Sequence, residues 1–236
     1  MVNRPNEQVL RAHHLASELS TATELLAVGL NQVVSPKWQA RQPGAAFTPL
    51  SQGVERTLKV TLWLNEENHG RQIDPRFGSG ASGHALGELN TKVFDAYTVG
   101  AQTANAYMRG LIDEVLADPF WRDILLALDR WAATPGRYRD LDALRGRAAQ
   151  DDPPWASWDE AEHRAITEVG GWAHLTDEVL ATSRRRMLLS IMRWWHTLYR
   201  GWQHGLVGAQ GVQFSSGLDP KNLHLDHSIA ALVAGR

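Results

Sequence analysis

Apolar positions recur at helical rather than alternating intervals along most of the chain. Over residues 6–34, Val9, His13, Ala16, Leu19 and Leu26 return near every 3.6 residues, while Glu7, Arg11, Glu18 and Glu24 fall on other faces. This predicts a first helix, closed by Pro36. The following KWQARQPGAAFTPLS reads as a loop, with Thr48 as a cap and Pro49 as the first helical position of a second helix. Val54, Leu58, Thr61, Leu62 and Asn65 line one side of that helix, and Glu55 and Lys59 have the spacing of an exposed i,i+4 pair. Residues 68–83 are rich in glycine, proline and small polar residues and form a loop.

Residues 84–117 predict a long helix or a broken pair. Their seam is Leu86, Leu89, Val93, Tyr97, Ala101, Ala104 and Met108, with Gly100 and Gly110 as weak points. Asp118 and Pro119 cap the next helix, which buries Phe120, Ile124, Leu128 and Trp131. A polar excursion covers 133–157. Ser157 and Glu160 have capping-box spacing, Gly170 and Gly171 mark a break, and another helix starts near Thr182 or Ser183. After Gly205 the pattern loosens over 205–236, where Asp219 and Pro220 cap a short terminal helix reaching Ala230. The expectation is one all-α domain over 1–236, an irregular multi-helix bundle without internal repeats or sustained heptads.

Composition narrows the chemistry. The 24 basic and 26 acidic side chains leave a formal charge of −2, so only local basic clusters can attract a polyanion. With no cysteine, disulfides and thiolate metal sites are excluded. No apolar run approaches the roughly 20 residues of a membrane span, and the first residues carry charges within their apolar pattern, unlike a signal peptide. A cytoplasmic protein without membrane contact is the expectation.

The richest stretch is RRRMLLSIMRWWHTLYRGWQHGLVG, residues 184–208, with three of the ten tryptophans. As a helix it places Leu188, Ile191, Trp195, Leu198 and Trp202 on a broad apolar stripe and His196, Arg200 and His204 on one neighbouring face. An arginine beside histidines can bind phosphate and exchange a proton near neutral pH. The same pattern is also satisfied by core packing with a polar edge. Arg184, Arg185 and Arg186, with Arg193, form a basic set suited to nucleic acid, and their position near a helix start runs against the usual charge preference.

Other clusters are less specific. Asp219, His224, Asp226 and His227 offer imidazole and carboxylate ligands without a zinc-type spacing, so no metal and no cofactor is expected. His13 and His14 are adjacent, which lets one face the core and the other solvent. GSGASGH, residues 78–84, lacks the lysine of a phosphate loop, and no GxSxG elbow occurs.

The pieces VERTLKVTLWLNEE and SGHALGELNTKVFDAY, through Glu55, Lys59, Gly83, His84, Leu86 and Leu89, resemble the HEPN superfamily over about residues 50–110. The resemblance is to abortive-infection and related defence proteins. It implies a helical bundle acting in bacterial stress or phage defence. Many active HEPN proteins are metal-independent ribonucleases that set an arginine and a histidine four to six residues apart on one helix, often in a dimeric cleft. RGWQH, Arg200 to His204, has three residues between the two, a departure from that spacing. Three readings follow: a binding or regulatory protein for RNA or an acidic partner, an endoribonuclease using Arg200 and His204 with help from His196, or a helical oligomerisation protein such as a homodimer.

Overall fold

The structure is a computed structural model that describes residues 7–35, 43–71, 85–103, 106–133, 141–146 and 152–225. Among them the regular structure is helical throughout: α1 (Glu7–Val34), α2 (Gly44–Asn68), α3 (Leu86–Thr103), α4 (Ala106–Leu116), α5 (Pro119–Ala132), α6 (Ala156–Glu168), α7 (Asp177–Gln203) and α8 (Gly208–Phe214). Short 3₁₀ turns occupy Gly171–His174, Ser215–Leu218 and Pro220–Asn222. No helix in the described residues is long and apolar enough to cross a membrane.

α1 and α2 form an antiparallel hairpin whose register is set by reciprocal glycines. Leu50 packs over Gly29 and Leu26 over Gly53, where a β-carbon would come within 2.8 Å of Leu50 Cδ2 or 2.7 Å of Leu26 Cγ. Only hydrogen at those two positions lets the backbones approach so closely. Ion pairs Glu18–Arg56 and Arg11–Glu67 continue the register outward. The last turn of α2 thus reaches only as far as Arg11. Residues 7–10 extend beyond it and are exposed, Val9 at 61%. His13, His14 and Ala16 also face outward, so neither histidine enters the core. The buried face of α1 is Leu15, Leu19, Ala22, Leu26, Leu30 and Val33.

α2 begins at Gly44 rather than Pro49. Ala46, Phe47 and Leu50 are fully buried, and Phe47 meets Trp131 at 6.0 Å and Trp158 at 5.0 Å between ring centres. Burying this turn outweighs the missing amide of Pro49. Thr48 is not a cap: its Oγ1 accepts from Trp131 Nε1 at 3.2 Å. The predicted stripe of Val54, Leu58, Thr61, Leu62 and Asn65 is buried in full, while Glu55 and Lys59 pair at 2.5 Å in a half-buried rather than exposed setting.

Between 84 and 117 the chain forms the pair α3 and α4, with Leu86, Leu89, Val93, Tyr97, Ala101 and Met108 buried as a seam; Ala104 lies outside the described residues. Gly100 sits inside α3 against Leu206, and Gly110 lies inside α4 with open space around it, so neither ends its helix. Asp118 caps α5 through Phe120 N at 3.0 Å, and Phe120, Ile124, Leu128 and Trp131 are buried as the spacing predicts. Ser157 is not part of a capping box. α6 starts at Ala156 without a side-chain cap, and the buried Ser157 hydroxyl accepts from Arg130 Nη1 at 3.2 Å. Gly170, at φ 69°, adopts the left-handed conformation that ends α6.

α7 is one continuous 27-residue helix at the centre of the molecule, capped by Thr176 through Val179 N and not by Thr182 or Ser183. Asp177 and Glu178 supply the negative first turn that suits a helix N-terminus. Leu188, Ile191, Trp195, Leu198 and Trp202 are buried as predicted. Indole hydrogen bonds tie α7 to its neighbours: Trp194 Nε1 to Asn90 on α3 at 3.0 Å and Trp202 Nε1 to Thr61 on α2 at 3.2 Å. Trp194 also stacks on Trp121 of α5, at 4.7 Å and 22°.

Beyond α7, Leu206, Val207, Leu218 and Leu223 are buried, and Thr23 Oγ1 donates to Gly217 O at 3.1 Å, which pins this segment on α1. Asp219 caps only the 3₁₀ turn Pro220–Asn222, not a longer helix; residues 226–230 lie outside the described residues. Of the polar excursion, 141–144 form one helical turn.

Candidate functional site

The C-terminal end of α7 lies antiparallel to α4. Arg193 pairs with Glu114, Thr197 Oγ1 donates to Leu111 O at 3.5 Å, and Arg200 and His204 reach Tyr107 near the start of α4. Arg200 Cζ stands 5.3 Å from the centre of the Tyr107 ring, and the His204 ring centre is 6.0 Å from it. The two residues singled out by spacing therefore share one aromatic neighbour. His204 is exposed, Arg200 is half-buried, and Tyr107 leaves 47% of its surface to solvent.

α7 can bring these groups to the surface because its neighbouring apolar side closes tightly on α3. Gly201 faces Tyr97, and a β-carbon there would lie 2.6 Å from Tyr97 Cζ. The Tyr97 hydroxyl donates to Leu198 O at 3.2 Å. Burial pushes the Tyr97 phenol well above its ordinary pKa, so it stays a neutral donor. The apolar face is thereby locked, and the Arg200–His204 face projects at the edge of the bundle.

Arg200 is held at both sides. Its Nη1 donates to Gln203 Oε1 at 2.7 Å, and Gln203 Nε2 donates to the Tyr199 hydroxyl at 2.6 Å. Tyr199 in turn donates to Asp219 Oδ2 at 3.4 Å, and Asp219 Oδ1 accepts from Lys221 N at 2.9 Å. Partial burial and the neighbouring Asp219 carboxylate raise the Tyr199 pKa. His196, half-buried one turn before Arg200, lies on the Tyr199 side, with ring centres 6.2 Å apart. Its ring contact is with Tyr199, a member of this polar group.

The basic set is distributed differently. Arg184 is in the third turn of α7, not at its start, and pairs with Glu162 at 3.3 Å. Arg186 faces Glu168 at 3.6 Å and lies over Phe120 at 4.8 Å. Arg193 donates to the buried Asp118 at 2.7 Å, which also accepts from Ser190 Oγ at 2.8 Å. Arg185 alone of the triplet is exposed. The acids of α4 and α6 neutralise most of what the sequence presents as a positive patch.

Among the described residues no group of three or more His, Asp or Glu is placed to hold a metal ion. His224 is exposed, Asp219 belongs to the Tyr199 network, and Asp226 and His227 lie outside the described residues, as do 78–84 with Gly83 and His84. Tyr107, Tyr199 and Gln203 escaped sequence reasoning. The i,i+4 spacing of Tyr199 and Gln203 was a usable signal, but the approach of α4 to α7 leaves none.

Arginine, imidazole and a half-exposed aromatic ring can together bind a phosphate, exchange a proton and stack a planar group. Family models, curated proteins and solved structures give no match to this chain.

Proposed function

We propose that this chain is a HEPN-like helical protein that binds single-stranded RNA at the α4–α7 corner, as a binding or regulatory component in bacterial stress or phage defence. The observation that carries the reading is the convergence of Arg200 and His204 on Tyr107. Single-stranded RNA presents unstacked bases beside phosphates, which an exposed aromatic ring and an arginine can engage together. The defence setting comes from the resemblance of residues 50–110 and from nothing else.

Fluorescence anisotropy with a labelled oligouridylate, in the presence of chelator and across a salt series, tests the reading. Tyr107→Ala is expected to weaken binding by about 1–3 kcal/mol, the scale of one base–aromatic stack. Arg200→Ala is expected to weaken it and to reduce the salt slope by about one phosphate contact. Equal affinity of wild type and both variants, or no affinity in the wild type, overturns the proposal.

A second reading, a metal-independent endoribonuclease, is favoured by the same convergence, since it puts a phosphate ligand and a proton carrier beside one ring. Arg200 would stabilise the scissile phosphate and His204 would serve as general acid or base with the 2′-hydroxyl as nucleophile. Chelator-resistant cleavage, lost in a folded His204→Ala variant, selects this reading over binding alone.

A further inference from the structure

We propose that Gln203, Tyr199 and Asp219 are positioning residues for Arg200, a one-way run of hydrogen bonds that fixes which edge of its guanidinium is offered to a ligand. The consequence for RNA rests on the function proposed above; the orientation itself belongs to the free protein.

The direction of every bond is forced. A guanidinium only donates, so Gln203 must turn Oε1 toward Arg200 Nη1 at 2.7 Å. This aims Gln203 Nε2 at the Tyr199 hydroxyl, 2.6 Å away. The phenol oxygen accepts there, which leaves its own hydrogen for Asp219 Oδ2 at 3.4 Å. The carboxylate only accepts, and its other oxygen is held by the Lys221 amide. A flipped Gln203 amide would set donor against donor at Arg200 and is excluded. A chain that runs without reversal from cation to anion polarises each of its members in the same sense.

Two further contacts restrict the guanidinium. Its Cζ lies over the Tyr107 ring, and its Nε is shielded from solvent with no hydrogen-bond partner among the described residues. With one Nη1 hydrogen engaged and Nε covered, the two Nη2 hydrogens and the second Nη1 hydrogen remain for a phosphate. The anchor of the run is outside α7. Asp219 stands in the segment that Gly217 and His224 fasten to α1, through Thr23 Oγ1 at 3.1 Å and Asn31 Nδ2 at 3.2 Å. The C-terminal segment therefore sets the side-chain geometry at the end of α7.

The test uses the full chain and two readouts. The first is the ¹⁵N guanidinium spectrum of Arg200 in the free protein, in which a held side chain shows restricted rotation about Cζ–Nη. Tyr199→Phe keeps the ring beside His196 and removes only the hydroxyl; Gln203→Leu and Asp219→Ala break the run elsewhere. Each is expected to release that rotation while circular dichroism stays that of the folded protein. The second readout is affinity for oligouridylate, expected to fall roughly two- to tenfold per broken bond. That loss should be absent when Arg200 is already lysine, which cannot present a planar edge.

Unchanged restriction of Arg200 in folded Tyr199→Phe and Gln203→Leu overturns the proposal whatever the RNA result. Released rotation in a protein whose wild type binds no RNA sinks the RNA reading and leaves the positioning standing. Released rotation with undiminished RNA affinity overturns the claim that this orientation serves the ligand.

Discussion

Gly201 accepts the Tyr97 ring where any side chain would collide, and the Tyr97 hydroxyl is tied to the backbone three residues earlier in the same helix. Gly201→Ala therefore forces α3 and α7 apart and is expected to cost about 1–3 kcal/mol, the usual scale of an overpacked core, measured as a shift in urea midpoint. Asp129 does another single-residue task. From α5 its Oδ1 accepts the first amide of α3, Leu86 N, at 2.6 Å, a helix cap supplied from a different helix. Burial raises its pKa despite the bonds from the Leu86 and Gly87 amides. The folded protein thus holds this proton more tightly than the unfolded chain does. Stability should fall as pH rises from the ordinary carboxylate range, near about 4, through the raised folded value, and stay level above it. Asp129→Asn keeps an acceptor for Leu86, and urea melts across this window should show a flatter fall than wild type. Asp129→Ala removes the acceptor and should cost about 0.5–2 kcal/mol at any pH. Neither role is legible in the sequence, where Gly201 is one small residue among bulky ones and Asp129 is one more surface-like acid.

Among the elements, α7 was the most legible and α2 the least well bounded. The apolar spacing of Leu188, Ile191, Trp195, Leu198 and Trp202 matches their burial because a central helix shows its full periodicity to its neighbours. The starts of α2, α6 and α7 each lie upstream of their predicted caps, because Thr48, Ser157 and Ser183 spend their hydroxyls inside the packed structure. For Thr48 and Ser157 the partners are distant in sequence and local spacing does not report them, whereas Ser183 donates to Val179 O one turn back in α7. Asp118 shows how one residue can join three elements: it caps α5, follows α4 and binds Ser190 and Arg193 of α7. Asp118→Ala removes the cap and leaves the partly buried Arg193 with only the exposed Glu114 as a carboxylate partner, so a loss of about 3–5 kcal/mol is expected. Asp118→Asn, which keeps one acceptor oxygen of the two, should lose less, and differential scanning calorimetry will rank the two. The candidate site was half legible: Arg200 and His204 come from spacing along one helix, whereas Tyr107 and the present role of Asp219 come from segments 93 and 19 residues away from Arg200.

For the whole molecule, charge is arranged as pairs more than as patches. Arg184, Arg186 and Arg193 each face a carboxylate, so replacing them should lower thermal stability more than it changes RNA affinity. Arg185→Ala should leave the unfolding free energy within about 0.5 kcal/mol of wild type, as exposed positions do. Any effect of Arg185→Ala on binding would then report a second electrostatic contact, read from the salt slope. The packing of α5 on α7 adds an unplanned convenience. Because the Trp121 and Trp194 rings lie 4.7 Å apart and nearly parallel, their electronic transitions are coupled and sit in a fixed, chiral setting. The near-ultraviolet dichroism of that indole pair is a built-in gauge, one that will fade when the two helices separate, even while each remains coiled.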